Sequence, residues 1–196
     1  MNQLDQLTQK IKELSPHAID KIIDYVDFLV WQEQQAQQQT GMIRWSFDLI
    51  EHFSEAEIRP KTAKDQGAEI KIGVAASDGL EKPAIFAHPP VQGRSTIEYY
   101  VPIPQDIDQF KLSFATGIRD GSKLSGANLV AFSIHLNGYR IWGTQTNSRR
   151  WQNHSLDLTV QAGDINQITF ATEALGNHRW TWAAWGSPII EGKSRQ

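Results

Sequence analysis

The chain contains no cysteine among its 196 residues. This absence excludes a disulfide framework, a thiolate nucleophile and a zinc site with cysteine ligands. It is typical of proteins that fold in a reducing compartment, so we expect a cytoplasmic protein. The segment from Met1 to Lys10 favours the same location, because it is polar and has no net side-chain charge, where a secretory signal has a basic start and an apolar core.

The sequence also lacks a long apolar run and an excess of positive charge. The apolar patch at 28–31 is far shorter than the roughly 20 residues that span a bilayer. The formal net charge is -3, which leaves no basic footprint for nucleic acid. We therefore expect no membrane insertion and no nucleic-acid partner, and look instead for a neutral ligand or another protein.

A recognisable catalytic motif is missing as well. The histidines are scattered, and spacing pairs no two carboxylates as an acid and a base. We predict no catalytic residue and no enzyme activity. The weak metal candidate is Asp120, in a polar loop whose oxygen atoms suit calcium. Because Arg119 and Lys123 flank it, an ordinary turn with no cofactor is the favoured interpretation.

Apolar residues near the N-terminus recur at helical spacing. Leu4, Leu7 and Ile11 lie three or four residues apart, as on one stripe of an amphipathic helix. Ser15 then provides an N-cap for a second helix, and Pro16 suits its first position. These features predict an α-helical hairpin.

This hairpin, residues 1–39, is too small to bury its apolar stripe alone. It must dock on the rest of the chain, on a second copy or on another protein. The residues expected at such a partner interface are Leu4, Leu7, Ile11, Ile22 and Val26. A linker at 40–42 follows the hairpin.

Beyond the linker, apolar residues no longer recur at helical spacing but alternate with polar ones. Short strand-like segments follow one another without intervening helices, and Asn137 with Gly138 marks a two-residue hairpin turn. We predict a mainly β protein, an antiparallel jelly-roll sandwich over 43–191, followed by a polar tail at 192–196.

Tryptophans are concentrated in the closing segment. Trp180 and Trp182 flank a β-branched Thr181, and an extended segment would place both indoles on one face. Trp185 falls beyond this alternation, at a predicted bend. Most of these indoles are expected in the core. The alternative is a partly exposed aromatic platform for a sugar or a peptide.

A second group of aromatic and polar residues follows the Asn137-Gly138 turn and continues into the next loop. Flat indoles beside guanidinium and amide donors suit stacking and directed hydrogen bonds to a sugar or a peptide. The alternative is that the indoles are buried and the arginines merely solvated. The ligand-binding candidates are Tyr139, Arg140, Trp142, Asn147, Arg149, Arg150 and Trp151.

The order of three motifs resembles a known family. The segments 114–120, 130–138 and 182–188 are similar to galactose-binding-like β-sandwiches of the NPCBM type, which are associated with glycoside hydrolases. The resemblance implies a jelly-roll fold, carbohydrate binding without catalysis and, in many members, a structural calcium ion. That family has an Asp just before the closing Trp-Ala pair, where this chain has Thr181. The N-terminal hairpin resembles the DUF2281 family over residues 2–35.

Two functions are compatible with these features. The leading prediction is a non-catalytic adaptor that binds another protein, or a second copy of itself, through the hairpin and the sandwich surface. The alternative is a carbohydrate-binding module that recognises a glycan through its aromatic and arginine-bearing surface.

Overall fold

The computed structural model describes residues 43–60, 69–123 and 128–194, together with Ala18, Ile19 and Val26. Those three single residues have helical backbone. The rest of the predicted hairpin and the linker lie outside the described residues, and no helical hairpin is seen among those described. The chain divides into two compact units, Met1–Met42 and Ile43–Gln196. The hairpin, its docking residues and the domain boundaries therefore stay predictions.

The second unit consists of β-strands and one short 3-10 turn at Phe53–Glu55. The strands are β1 (Ile43–Asp48), β2 (Glu57–Arg59), β3 (Glu69–Ser77), β4 (Leu80–His88), β5 (Arg94–Pro102), β6 (Gln109–Ile118), β7 (Leu129–Leu136), β8 (Tyr139–Thr146), β9 (Gln152–Leu158), β10 (Ile165–Leu175) and β11 (Ala183–Lys193). Within the described residues, no helix has the length and apolar character needed to cross a membrane.

The strands form two antiparallel sheets that pack face to face. One sheet has six strands in the order β3-β4-β11-β6-β9, and β1 pairs with the second half of β11. The other has five strands in the order β2-β5-β10-β7-β8. The sequence prediction of an antiparallel sandwich is therefore confirmed.

Alternation along the strands explains this packing. In β7, every second residue from Val130 to Leu136 is buried and the residues between them are half-buried, so one face meets the other sheet. The turn from β7 to β8 is formed by Asn137 and Gly138, both with positive φ, as a two-residue hairpin requires. The predicted position of this turn is confirmed.

The core between the sheets is centred on Trp185, which is fully buried. Its ring lies 4.9 Å from that of Phe170, 5.1 Å from Phe132 and 5.6 Å from Phe114, measured between centroids. Trp185 and Phe114 belong to the six-stranded sheet, and Phe132 and Phe170 to the five-stranded sheet. The four rings thus join the two layers.

The structure corrects the prediction for the closing segment. Trp185 does not lie at a bend but within β11, where it points into the core. Trp180 and Trp182 do not alternate on a strand, because Trp180 has a φ of 68° and β11 begins only at Ala183. A turn in which the Thr181 N–H bonds to the His178 carbonyl breaks the expected extension.

Replacing Trp185 with alanine tests this account of the core. We expect the free energy of unfolding to fall by about 3 to 5 kcal/mol, because a large buried ring leaves a cavity between both sheets. Urea denaturation followed by circular dichroism measures the change. Trp180→Ala is the matched control, since that indole is 39% exposed, and equal losses in the two variants would contradict a central role for Trp185.

Candidate functional site

The ligand-binding residues expected from the sequence do not form one surface. Trp142 lies opposite Ile134 in the strand register and faces inward from β8. Its ring lies 4.9 Å from Phe114 and 4.6 Å from His154, in an aromatic cluster at the edge of the sandwich. Trp142 therefore packs the edge of the core, which corresponds to the buried-indole alternative.

Trp151 lies on the outer face of the six-stranded sheet. A Cβ at Gly117 would come within 2.9 Å of its ring, and one at Gly186 within 3.1 Å, so the two glycines form the surface on which the indole rests. The indole Nε1 donates to the Leu80 carbonyl at 2.7 Å. Trp151 thus covers a small apolar cluster that includes Phe86, and its ligand-binding role stays a prediction.

The loop between β8 and β9 contains three of the predicted ligand residues. Arg150 is exposed and pairs with Asp78 at 3.0 Å, and Arg149 donates to the Ser122 carbonyl at 3.4 Å. Asn147 is half-buried. These side chains hold the loop against its neighbours.

Tyr139 and Arg140 lie apart from both tryptophans and from the loop between β8 and β9. Tyr139 is 79% exposed at the start of β8. Arg140 lies opposite His135 in the strand register. Both residues are on the outer face of the five-stranded sheet, the side of the sandwich opposite Trp151. The predicted set is therefore divided between the sandwich edge and its two outer faces.

The carboxylate of Asp120 has a structural role in the turn between β3 and β4. Its two oxygens accept the backbone N–H groups of Asp78 and Gly79, each at 2.9 Å. Both residues of this turn have positive φ. Among the described residues, no group of three or more potential ligands could hold a metal ion. Asp120 thus has the hydrogen bonds of an ordinary turn.

An exposed indole at one end of the sandwich is the candidate binding surface. It belongs to the loop between β10 and β11, residues 176–182, which we call the Trp180 loop. Trp180 is 39% exposed, and its ring lies 5.4 Å from that of Trp182 and 5.3 Å from the ammonium nitrogen of Lys123. Two indoles and a cation thus meet at the surface.

Trp180 is held in a conformation that its bulk disfavours. Its φ of 68° lies in the left-handed region, which costs a residue with a Cβ about 1 to 2 kcal/mol. The Ser122 hydroxyl donates to the Trp180 carbonyl, and the buried Thr181 hydroxyl donates to the His178 carbonyl. These bonds hold the strained backbone at Trp180.

Trp182 is supported from the outer face of the six-stranded sheet. The Arg119 guanidinium lies 3.8 Å from the Phe86 ring centroid and 5.6 Å from that of Trp182. It also pairs with Glu69 at 3.2 Å, and the two cations Lys71 and Arg119 hold the pKa of that carboxyl below its ordinary value even though partial burial opposes the change. The Arg119 N–H donates to the Trp182 carbonyl at 2.9 Å.

His88 fixes the base of the Trp180 loop. Its Nδ1 lies 2.9 Å from the Thr181 carbonyl, and because a carbonyl only accepts, Nδ1 must carry the proton. Burial lowers the pKa of His88, which favours the neutral ring. His88 therefore serves as an uncharged donor that positions the loop.

The sequence matches no known family profile and no curated protein. Among solved structures, a chain of Clostridium perfringens ZmpB that contains its carbohydrate-binding module CBM51-2 in complex with GlcNAc aligns with a TM-score of 0.50 and 16% identity, over 77% of this chain and 32% of that one. The sandwich has a galactose-binding-like fold. This chain spans about a third of the length of that relative.

Two further structures from Clostridium perfringens align with this chain. A chain with the M60 catalytic domain and both CBM51 modules of ZmpB has a TM-score of 0.50 and 11% identity, over 79% of this chain and 16% of that one. The CBM51 of a GH95 protein, in complex with methyl-galactose, has a TM-score of 0.47 and 16% identity, over 74% of this chain and 99% of that one. The sandwich expected from the NPCBM resemblance is confirmed, whereas the DUF2281 resemblance has no support.

Two substitutions at Trp180 isolate its backbone strain, because glycine and alanine both remove the indole. At an ordinary position the alanine variant is the more stable, since glycine gains more entropy on unfolding. Here we expect the glycine variant to be more stable by about 1 kcal/mol, because alanine retains the left-handed cost. Urea denaturation compares them. An alanine variant at least as stable as the glycine variant would contradict the strain.

Proposed function

We propose that the sandwich is a non-catalytic glycan-binding module that contacts its sugar through Trp180. The observation that carries this proposal is an exposed indole held by hydrogen bonds in a disfavoured backbone conformation. Such strain persists where a rigid surrounding structure maintains it, and it occurs often at ligand-binding sites. A pre-positioned ring loses little entropy when a ligand stacks on it.

The chemistry around Trp180 suits a sugar ring. An indole offers a flat apolar face to the C–H groups of a pyranose, and the Lys123 ammonium beside it can donate to hydroxyl groups. Trp182 adds a second aromatic surface at an angle of 47° to the first. The arrangement provides one stacking face and one adjacent donor.

The shared fold supports the same function. The ZmpB module with the comparable sandwich is described in complex with GlcNAc, and modules of this kind occur in chains with catalytic domains. We therefore expect this chain to bind a glycan without cleaving it. At this level of identity the likeness is one of fold, so the sugar itself has to be found by experiment.

Glycan binding, the alternative named from the sequence, is better supported than the adaptor role that was the leading prediction. The adaptor role depends on an apolar stripe in the N-terminal hairpin. Of its expected docking residues, Leu4, Leu7, Ile11 and Ile22 lie outside the described residues, and Val26 is described only as helical and 48% exposed. No observation on the described part of the chain favours a protein partner over a sugar.

A glycan array with the full chain tests the proposal. We expect retention on a subset of neutral glycans, with terminal N-acetylglucosamine as the first probe, and an affinity at least about tenfold lower for Trp180→Ala. Trp180→Phe should retain part of the affinity, because it keeps an aromatic face. Isothermal titration with the best glycan gives the dissociation constants.

Tyr139→Ala is the matched control, since it removes the most exposed large aromatic ring from a different surface. Its affinity should equal that of the unmodified protein. Failure of the array to retain the chain on any glycan would overturn the proposed function. A glycan that binds the Trp180→Ala variant equally well would place the site elsewhere on the sandwich.

A further inference from the structure

The outer face of the five-stranded sheet contains a row of small side chains across its middle. The strand register places Thr96 opposite Ala171, Ala171 opposite Ser133, and Ser133 opposite Gly143. Adjacent outward positions carry longer residues, among them Arg140. Short side chains between longer ones produce a groove that crosses the strands. We call this depression the sheet groove.

Two connected depressions make up the sheet groove. One has a volume of about 220 Å³ and the other about 280 Å³, and they share Arg94, His135 and Ala171 as lining residues. The floor is formed by backbone and small side chains, and the walls carry charged and hydrogen-bonding groups. The groove lies on the sheet face, whereas Trp180 lies in the loop between β10 and β11.

Two arginines in this groove have no partner for their charge. The guanidinium groups of Arg94 and Arg140 form no ion pair and no hydrogen bond with any residue that the structure describes. Glu173 lies opposite Arg94 in the register, yet no ion pair joins them there. By contrast, Arg59 in the same groove pairs with Glu57 at 3.5 Å.

Arg140 lies along the sheet because the neighbouring strand position is a glycine. A Cβ at Gly143 would come within 2.8 Å of both Cζ and Nε of Arg140. The missing side chain therefore allows the guanidinium to lie close to the Gly143 backbone, where Arg140 lines the groove. A bidentate donor positioned in this way matches a carboxylate in shape as well as in charge.

Arg94 and Arg140 both bring positive charge close to His135 in the groove. The pKa of this histidine is lowered first by partial burial and further by the two arginines, although a hydrogen bond with the Gly138 backbone opposes the change. The nearby carboxylate of Glu98 is already bonded, because it accepts from the Tyr100 hydroxyl at 2.8 Å. An added anion would therefore meet the donors of Arg94 and Arg140, beside the Glu173 carboxylate at the same end of the groove as Arg94.

We propose that the sheet groove is a second binding site, one that takes a carboxylate-bearing sugar whose acid group is held by Arg94 and Arg140. The site is separate from the Trp180 surface and does not depend on the function proposed for it. The Thr96 hydroxyl provides a donor and an acceptor for the sugar hydroxyls, and the hydroxyl oxygens of Ser133 and Thr169 provide acceptors beside their contacts with His135 at 3.3 Å and Glu98 at 3.5 Å.

A sugar fits this groove better than a peptide does. The walls offer closely spaced hydrogen-bonding groups and no apolar pocket for a side chain. Ala171 and Ala131 leave a shallow floor on which a flat pyranose ring can lie. A peptide would need an unpaired strand edge or side-chain pockets to be recognised in register, and the groove lies across the sheet face rather than along the outer edge of β8.

A matched pair of ligands isolates the carboxylate. Trigalacturonate and its methyl ester have the same stereochemistry and differ in charge. We expect the full chain to bind the acid at least about tenfold more tightly than the ester, because two charge-assisted hydrogen bonds depend on the carboxylate. Isothermal titration measures affinity, and amide chemical shifts at Ser133 and His135 locate the site.

Variants then test the two arginines. Arg94→Gln and Arg140→Gln should each lower affinity for the acid about tenfold and leave that for the ester unchanged. Gly143→Ala should also weaken acid binding, since the new methyl group displaces the Arg140 guanidinium while keeping its charge. Arg150→Gln is the matched control, because that exposed arginine pairs with Asp78 away from the groove.

The acidity of the solution gives an independent readout. The charged groups that line the groove with His135 are Arg59, Arg94, Arg140, Glu98 and Glu173. As the pH falls through the lowered pKa of His135, the ring gains a positive charge, so affinity for the acid should rise as the pH falls below about 6.5, the ordinary pKa of histidine. His135→Gln should abolish this rise, which a merely structural histidine would not influence.

Several results would overturn the inference. Equal affinity for the acid and the ester, or unchanged acid binding in both arginine variants, would exclude recognition of the carboxylate in the groove. So would a failure of trigalacturonate, glucuronate and sialyllactose all to bind at concentrations up to about 10 mM. A glutamate-rich peptide that binds more tightly than these acids, with the same dependence on Arg94, would assign the groove to a protein instead.

Discussion

The packing of Trp185 between the two sheets is the interaction on which the rest of the structure depends. Its ring contacts aromatic rings from β6, β7 and β10, so one side chain joins strands of both layers. Beyond Trp185 the register of β11 against β6 shifts between Gly186 and Ile189, and on its other edge β11 changes partner from β4 to β1. The strand β11 therefore contributes the central core residue and also pairs with three strands of its sheet.

The Trp180 loop is tied to this strand and to neighbouring elements. The loop ends at the first residue of β11, and three of its neighbours, His88, Arg119 and Ser122, bond to its carbonyl groups from β4 and from the segment after β6. A loop tied to a buried strand at one end and to two neighbouring elements along its length has few alternative conformations. The strained backbone at Trp180 is maintained by these contacts rather than by local preference.

The two proposed binding surfaces arise from different physical causes. Hydrogen bonds position the Trp180 surface, whereas the sheet groove results from register, which aligns Thr96, Ala171, Ser133 and Gly143 across four strands. A shift of one residue in any of these pairs would place inward-facing side chains in the groove. The sandwich therefore presents an aromatic surface at one end and a charged groove on one face, each compatible with a different class of sugar.

The amino-acid sequence by itself determined the antiparallel sandwich and the Asn137-Gly138 turn, because alternation and positive φ are local properties that adjacent residues reveal. It also identified tryptophans and arginines as the informative residues. It did not reveal β4, whose Ile85 and Phe86 point to opposite faces and are both buried, so that the strand lacks simple alternation.

Only the tertiary structure decided which tryptophans are buried and which arginines lack a partner. Trp142, Trp151 and Trp185 pack against residues distant in sequence, and Trp180 remains exposed because a turn rotates it away from the core. Likewise, Arg94 and Arg140 meet in one groove through the pairing of β5, β10, β7 and β8. Burial and charge pairing depend on contacts across strands, and a single sequence does not specify those contacts.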